Sequence, residues 1–349
     1  MRRIYYNKPT EWLELSVDDT PQANLQIGTI SGLPYFVDWG DGVVETYTSL
    51  QTITKVYSSN FTGIVRIATP FGVTDISRFE SIGSTAWNFD LGVFVPLTGL
   101  DYLQLYNLPN ANITGSLNSF SGTTGLTFFR LYNLPNANIT GSLNSFTGAT
   151  GLDYFHLFNL PNANIDGSLN SFLGATGLTQ FYLYNIPNAN IDGSINSFSS
   201  ATGLINLYLY NLPNSNITGG SSAFSNKNDL RDFLLLTSPT SNITMDYDDM
   251  LNIWRSSVYI IHIDSGISAS KPTTSPFNFD SLRTSTLYFQ NIGLSSQSMD
   301  NMIIALDNSL IAQSSPKTIY LDGNAPHSAS PAVITALSNL ANKDITVVL

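Results

Sequence analysis

The chain has 349 residues, only 11% of them charged, with a formal net charge of −11. That balance sets nucleic acid aside as a partner, because phosphate binding draws on clustered lysine and arginine that this sequence lacks. Cysteine is absent, so neither disulfides nor thiolate metal sites hold the fold, and stability must come from strand pairing and apolar burial.

The N-terminus, MRRIYYNKPTEWLEL, starts basic but turns polar and charged before an apolar run of signal-peptide length forms, so no Sec export signal is expected. No apolar stretch approaches the roughly 18 residues of a membrane-spanning helix, and a soluble chain without membrane insertion is expected. Over residues 1–72 short β-like runs alternate with Gly, Pro, Asp and Ser: Leu25 to Ile27, Tyr35 to Val37, Val43-Val44, Ile53 to Val56 and Ile64 to Ile67. A small β-sandwich with an N-terminal arm is predicted, with Asp41-Gly42 as a type I′ hairpin turn and Trp39 packed between sheets. The motif VDWGDG, Val37 to Gly42, is followed by Lys55-Val-Tyr57 and by Phe61 to Ile67. That order resembles the polycystic-kidney-disease (PKD) domain, an immunoglobulin-like sandwich, although Lys55 stands where histidine is usual. The resemblance implies a spacer or adhesion module rather than catalysis.

Residues 73–99 read as an N-terminal cap, a worn copy of the 26-residue unit that occupies the middle of the chain, with Phe94 one period before Phe120 and Trp87 one period before Ile113. Over 100–255 the chain repeats every 26 residues, in blocks starting at Leu100, Leu126, Leu152, Leu178 and Leu204. A fixed period of this length is a solenoid. Each block carries L-x-x-L-x-L, as Leu100, Leu103, Leu105, and a second segment, Asn112-Ile-Thr-Gly-Ser-Leu117. These resemble leucine-rich repeats of the plant type, with a turn, Asn107-Leu-Pro-Asn110, lengthening the roughly 24 residues usual for that subclass. The resemblance implies a parallel sheet lining a concave face that contacts a partner.

If Leu103 and Leu105 point inward, their neighbours point outward, because strand side chains alternate. The first outward column runs Tyr102, Phe128, Tyr154, Gln180, Asn206; the second Gln104, Arg130, His156, Tyr182, Tyr208; the third Tyr106, Tyr132, Phe158, Tyr184, Tyr210. The third hardly varies, which suits a stabilising ladder, though exposed aromatics also make binding platforms. The second interchanges residues that share no packing role. That drift suits a solvent-facing surface tuned for contact, with neutral exposure as the alternative. The candidate ligand-binding residues are therefore Tyr102, Gln104, Tyr106, Phe128, Arg130, Tyr132, Tyr154, His156, Phe158, Tyr182, Tyr184, Tyr208 and Tyr210.

Asn107, Asn110 and Asn112 recur with the period and are expected to bond adjacent coils in ladders. The sequons at Asn112, Asn138 and Asn216 are by-products of that repeat. A flat Thr-rich face would suit ice, but the varying aromatic stripe does not suit a regular lattice. Residues 256–349 are irregular repeats, with strand-like runs at Val258 to Ile263, Leu287 to Phe289, Ile319 to Leu321 and Ile345 to Leu349. Helices are predicted over Ser298 to Leu310 and Ser330 to Asn342, the latter with Ser330 as N-cap and Pro331 in the first turn.

The fold class is thus mainly β with some α: an immunoglobulin-like sandwich, then a leucine-rich-repeat solenoid with helices in its C-terminal repeats. No enzyme is expected. His156, His262 and His327 lack metal-like spacing, no nucleophile or P-loop motif occurs, and the cluster Asp246, Asp248, Asp249 reads as helix N-terminal charge, with a cation site as the other reading. No cofactor or metal is implied. Near-identical copies with a varying stripe, in an Asn/Ser/Thr/Gly-rich chain, resemble bacteriophage tail-fibre and capsid-decoration proteins. The expectation is a virion protein that recognises a host cell-surface glycan or protein. A structural component contacting other virion proteins, or a bacterial cell-surface adhesin, are the alternatives; a homo-oligomer is possible.

Overall fold

Inward Leu and Phe at alternate strand positions, with Gly and Asn at each corner, wind the repeated segment into stacked coils. The computed structural model describes residues 11–224, 227, 229–236, 242–246, 260–263, 267–270, 286–288, 295–309, 317–323 and 325–349. The chain divides into two compact units, Met1–Gly167 with Asn185–Asn188, and Ser168–Tyr184 with Ala189–Leu349.

The first unit begins with four antiparallel strands, β1 (Leu13–Thr29), β2 (Tyr35–Asp38), β3 (Val44–Tyr47) and β4 (Gln51–Ala68). The coils follow with β5 (Ile76–Ile82), β6 (Asn88–Asp90), β7 (Tyr102–Tyr106), β8 (Asn112–Ser116), β9 (Phe128–Tyr132), β10 (Asn138–Ser142), β11 (Tyr154–Phe158) and β12 (Asn164–Ser168). One hydrogen-bonded order joins β11-β9-β7-β5-β1-β4-β2-β3, and a second row joins β12-β10-β8-β6.

This differs from the arrangement expected over 1–72. The two runs Ile53 to Val56 and Ile64 to Ile67 lie in the single strand β4, and β1 starts a dozen residues ahead of Leu25, at Leu13. Leu13, Leu15 and Val17 alternate inward and are buried. The polar Asp18 to Pro21 lies at register shifts between β1 and β4, with Asp19 at φ 48. The described strands of this segment share one hydrogen-bonded order, β1-β4-β2-β3, and β1 also bonds directly to β5, so pairing runs across Gly72. The β2–β3 hairpin closes at Asp38 and Val44. Its turn is not type I′, because Gly40 (φ 88) and Gly42 (φ 81) are left-handed whereas Asp41 is not. Trp39 is fully buried and donates from Nε1 to the Tyr47 hydroxyl at 3.1 Å. Lys55 bridges Asp41 at 2.5 Å and Glu45 at 3.3 Å.

Within a coil, Leu103 and Leu105, Ile113, Leu117 and Leu126 have no exposed surface. A 3-10 turn, Leu117–Phe120, separates the second strand from the return, and the Ser116 hydroxyl caps it by accepting from Asn118 N. Phe120 stacks over Phe146 at 6.4 Å, and Phe129 over Phe155 at 5.5 Å, giving a ring spine along the core. The expected asparagine ladder is present: Asn133 Nδ2 donates to Asn107 Oδ1 at 2.6 Å, Asn159 to Asn133 at 2.6 Å, and Asn185 to Asn159 at 2.7 Å. Asn107, Asn133 and Asn159 sit at φ 52–54, the left-handed corner that asparagine tolerates. Asn136 and Asn162 donate to the carbonyls of Pro109 and Pro135 in the preceding coils.

The cap coil runs two residues short. Arg78 pairs with Tyr102 and Phe89 with Ile113, so Phe89 takes the inward place predicted for Trp87. Phe94 does stack over Phe120, at 6.1 Å.

The second unit contains β13 (Gln180–Tyr184), β14 (Asn190–Asp192), β15 (Asn206–Tyr210), β16 (Thr218–Gly220), β17 (Asp232–Leu236), β18 (Asn242–Asp246), β19 (Ile260–Ile263), β20 (Ile267–Ser270) and β21 (Thr286–Tyr288). Helix α1 (Ser296–Ser309), β22 (Lys317–Tyr320), α2 (Pro331–Asn342) and β23 (Ile345–Val348) complete it. Its main parallel order is β23-β22-β21-β19-β17-β15-β13, with β16-β18-β20 as a second row. Ser330 caps α2 from its hydroxyl and Pro331 occupies the first turn, as the sequence predicts. Asp307 on α1 holds α2 by accepting from Asn339 Nδ2 at 2.9 Å and pairing with Lys343 at 2.8 Å. Asp248, Asp249 and Met250 lie outside the described residues, as do the side chains of Asp246 and His262.

Candidate recognition face

Strand alternation puts the columns on one face, opposite the leucine core, and the register aligns them: Tyr102, Gln104 and Tyr106 lie beside Phe128, Arg130 and Tyr132, which lie beside Tyr154, His156 and Phe158. Neighbouring strands about 4.8 Å apart bring like rings to stacking distance. Tyr102 and Phe128 stack at 4.1 Å and 8°, Tyr106 and Tyr132 at 5.0 Å, and Tyr132 and Phe158 at 4.4 Å. The aromatic columns are therefore ladders whose internal ring faces are occupied by neighbouring rings. What they turn outward is edges and hydroxyls.

The middle column departs from the solvent-facing stripe expected of it. Gln104 and His156 are each 4% exposed, and Phe158 in the third column is 8% exposed. The ladders on either side stand tall enough to cover it. The Tyr102 hydroxyl donates to Gln104 Oε1, and the His156 ring lies 6.1–6.4 Å from Tyr132, Tyr154 and Phe158. Arg130 is half-buried, its guanidinium carbon 4.2 Å from the Phe128 centroid and 5.2 Å from that of Tyr154.

Two residues on this face were not anticipated. Arg78 and Glu80 on β5 extend the first and second columns by one strand; Arg78 lies 3.4 Å over the Tyr102 ring and pairs with Glu80 at 2.7 Å. They stand 24 residues before Tyr102 and Gln104, so a search at the period of 26 passes over them. A cleft of about 540 Å³ opens beside Arg78, lined also by Ser77, Asp101, Tyr102 and Thr127. Burial raises the Asp101 carboxyl above its ordinary range.

In the second unit the same columns give Tyr182 stacked on Tyr208 at 4.5 Å and Tyr184 on Tyr210 at 4.3 Å. Asn206 Nδ2 donates to the Tyr182 hydroxyl at 2.7 Å. Asp232 continues the first column on β17 and is hydrogen-bonded to Tyr208; it stands one period after Asn206, so the periodicity alone reaches it. Burial pushes up the phenols of Tyr102, Tyr106, Tyr132, Tyr184, Tyr208 and Tyr210, which stay neutral and able to donate throughout the physiological range.

Among the described residues, no three His, Asp or Glu side chains converge as a metal site, and no helix is long and apolar enough to cross a membrane. The arrangement offers hydrogen-bond donors, a cation without a counter-ion among the described residues, and aromatic edges.

The sequence matches no protein-family model and no curated protein. Solved structures similar to it include a plant ice-binding protein, at 15% identity over 70% of each chain with a TM-score of 0.40. A leucine-rich-repeat protein of Leptospira interrogans is 12% identical over 74% of this chain and 80% of its own, with a TM-score of 0.32. The leucine-rich-repeat ectodomain of the Arabidopsis receptor kinase HAESA, solved with a peptide hormone ligand, is 17% identical over 76% of this chain and 52% of its own, with a TM-score of 0.37. At such low similarity no ligand or partner passes from these proteins to this one; what stands is a mainly β chain, with few helices, built on a repetitive parallel sheet.

Proposed function

We propose that this protein is a non-enzymatic recognition protein that meets its partner through the ladder face, as a bacteriophage virion component of tail-fibre or capsid-decoration type. The observation that carries the reading is a contrast between columns: the third repeats as a ring ladder, Tyr106, Tyr132 and Phe158 in the first unit and Tyr184 and Tyr210 in the second, while the second column changes from Gln104 to Arg130 to His156, and in the second unit to Tyr182 and Tyr208. The constant ladder supplies a rigid frame at low entropic cost, and the half-buried members of the changing column, Arg130, Tyr182 and Tyr208, supply discrimination. The partner is a host cell-surface protein or glycan. Nucleic acid does not suit a chain of net charge −11.

The segment before the coils serves in this reading as a PKD-like module, and the coils as leucine-rich repeats of the plant type. Support for the first is the buried Trp39 and the Asp41–Lys55 clasp; for the second it is the inward Leu spacing and the asparagine ladder. Immunogold labelling of the producing culture with an antibody against this chain tests the assignment. Label on virions is the expected result, after which blocking of adsorption by soluble protein separates a host-binding component from one that contacts other virion proteins. Label confined to bacterial envelopes overturns the virion reading in favour of an adhesin.

A further inference from the structure

Arg130 is held but not paired. Its guanidinium lies over Phe128 and toward Tyr154, its Nε is buried with no hydrogen-bond partner, and no carboxylate among the described residues forms an ion pair with it. Arg78, one column across and two strands back, also has an unpaired Nε, but its terminal nitrogen is bound to Glu80. Glu80 pairs in register with Gln104 and so stands two strands from Arg130, about 10 Å by strand spacing, too far for a hydrogen bond. A cation stripped of part of its water and left without an anion carries an uncompensated cost. The rings pack against the guanidinium while the side chain keeps part of its surface open to solvent.

Gln104 adds to the same polarity. Its Oε1 accepts the Tyr102 hydroxyl, so its NH2, on a side chain only 4% exposed, is left as a donor at the floor of the face beside Arg130. The pair offers donors and one positive charge, which selects an anion, and the planar fork of arginine matches the two oxygens of a carboxylate. Resting on the reading of this face as a recognition surface, we propose that Arg130 and Gln104 form a carboxylate subsite that takes an Asp or Glu side chain of a protein partner. A protein is favoured over an acidic sugar because the two rings flanking Arg130 on its own strand are covered on both sides, Phe128 by Tyr102 and by the Arg130 guanidinium with the tilted Tyr154, and Tyr132 by Tyr106 and Phe158, so neither offers a free face for a sugar to stack on. Tyr106 and Tyr132, two positions further along the same two strands, bring hydroxyls as further hydrogen-bonding groups for a peptide backbone. Because the whole chain is acidic, the attraction is local: the subsite suits a single carboxylate in an otherwise uncharged segment.

The test uses the full chain labelled with ¹⁵N and follows the Arg130 Nε–H resonance, assigned by its disappearance in Arg130→Gln. The probes are the capped dipeptide acetyl-Gly-Glu-amide, its Gln counterpart, galacturonate, and sodium chloride at matched ionic strength. The expected result is a saturable shift with the Glu dipeptide alone, with half-saturation rising about tenfold in Gln104→Leu, which loses the second donor. An equal shift with chloride or with the Gln dipeptide overturns the subsite, and half-saturation by galacturonate at lower concentration overturns its assignment to a protein partner. If Arg130→Gln fails to fold, Arg130→Lys supplies the assignment. This resonance reports the subsite whether or not the virion reading holds, so the two fail separately.

Discussion

Individual residues carry the coil's stability in unequal shares. Leu131 is fully buried between Leu105 and Leu157 in the strand register, and truncating it opens a cavity that adjoining coils cannot close. Leu131→Ala is expected to cost about 2–5 kcal/mol in denaturant unfolding. Lys227 is a different case. It replaces the small buried residue of earlier coils, Ala149, Ala175 and Ala201, is 2% exposed, and donates from Nζ to the carbonyls of Ser199 at 2.8 Å and Ala201 at 2.6 Å. Burial lowers its pKa from the ordinary 10.5 to about 8. Because the unfolded chain then holds the proton more tightly, the penalty is complete below about pH 8 and is relieved as pH rises from there towards the unfolded value. Denaturant titrations at pH 7 and pH 9.5 should therefore show the wild type gaining stability relative to Lys227→Met. A difference that is the same at both values would mean that the ammonium is not strained in the folded state.

At the scale of the element, the corner glycines decide whether coils can stack. Gly141 sits at φ +99, and a Cβ there would lie 2.3 Å from Ser116 Oγ and 2.9 Å from the backbone nitrogen of Leu117 in the previous coil. Gly141→Ala is expected to destabilise by about 2–3 kcal/mol, since strain and overlap add. Gly122, with nothing within 4 Å of such a Cβ, is the control and should stay within about 0.5 kcal/mol in the same unfolding assay. Much at this scale was legible beforehand: the N-cap of α2, the inward leucines and the asparagine corners follow from local chemistry that each copy repeats. What was not legible lies where the repeat wears out. The strand at Leu13 to Val17 goes unread because the polar Asp18 to Pro21 parts it from the run at Leu25, and it is pairing with β4 on both sides of the bulge that joins the two into one strand.

At the scale of the whole molecule, recognition is expected to depend on the ladder face and stability on the core beneath it. Tyr182→Ala with Tyr208→Ala removes a stacked pair and the acceptor for Asn206, yet leaves Phe181, Leu183, Leu207 and Leu209 in place. Far-ultraviolet circular dichroism should be unchanged while the soluble protein loses its ability to block adsorption of virions. Retained blocking with an intact fold removes these tyrosines from the interface. The columns themselves could be read from the sequence, since alternation and period together place every residue on its face. By itself the sequence determined the coil length, the split into inward and outward positions, the corner chemistry and the two C-terminal helices, because each depends on residues near in the chain and repeated many times. Only the tertiary structure decided that the rings stack face to face, that Gln104 and His156 sink between them, that β1 bonds to β5, and that Arg130 is left without a counter-ion among the described residues. Each of these depends on what the neighbouring strand brings alongside, which local sequence does not encode.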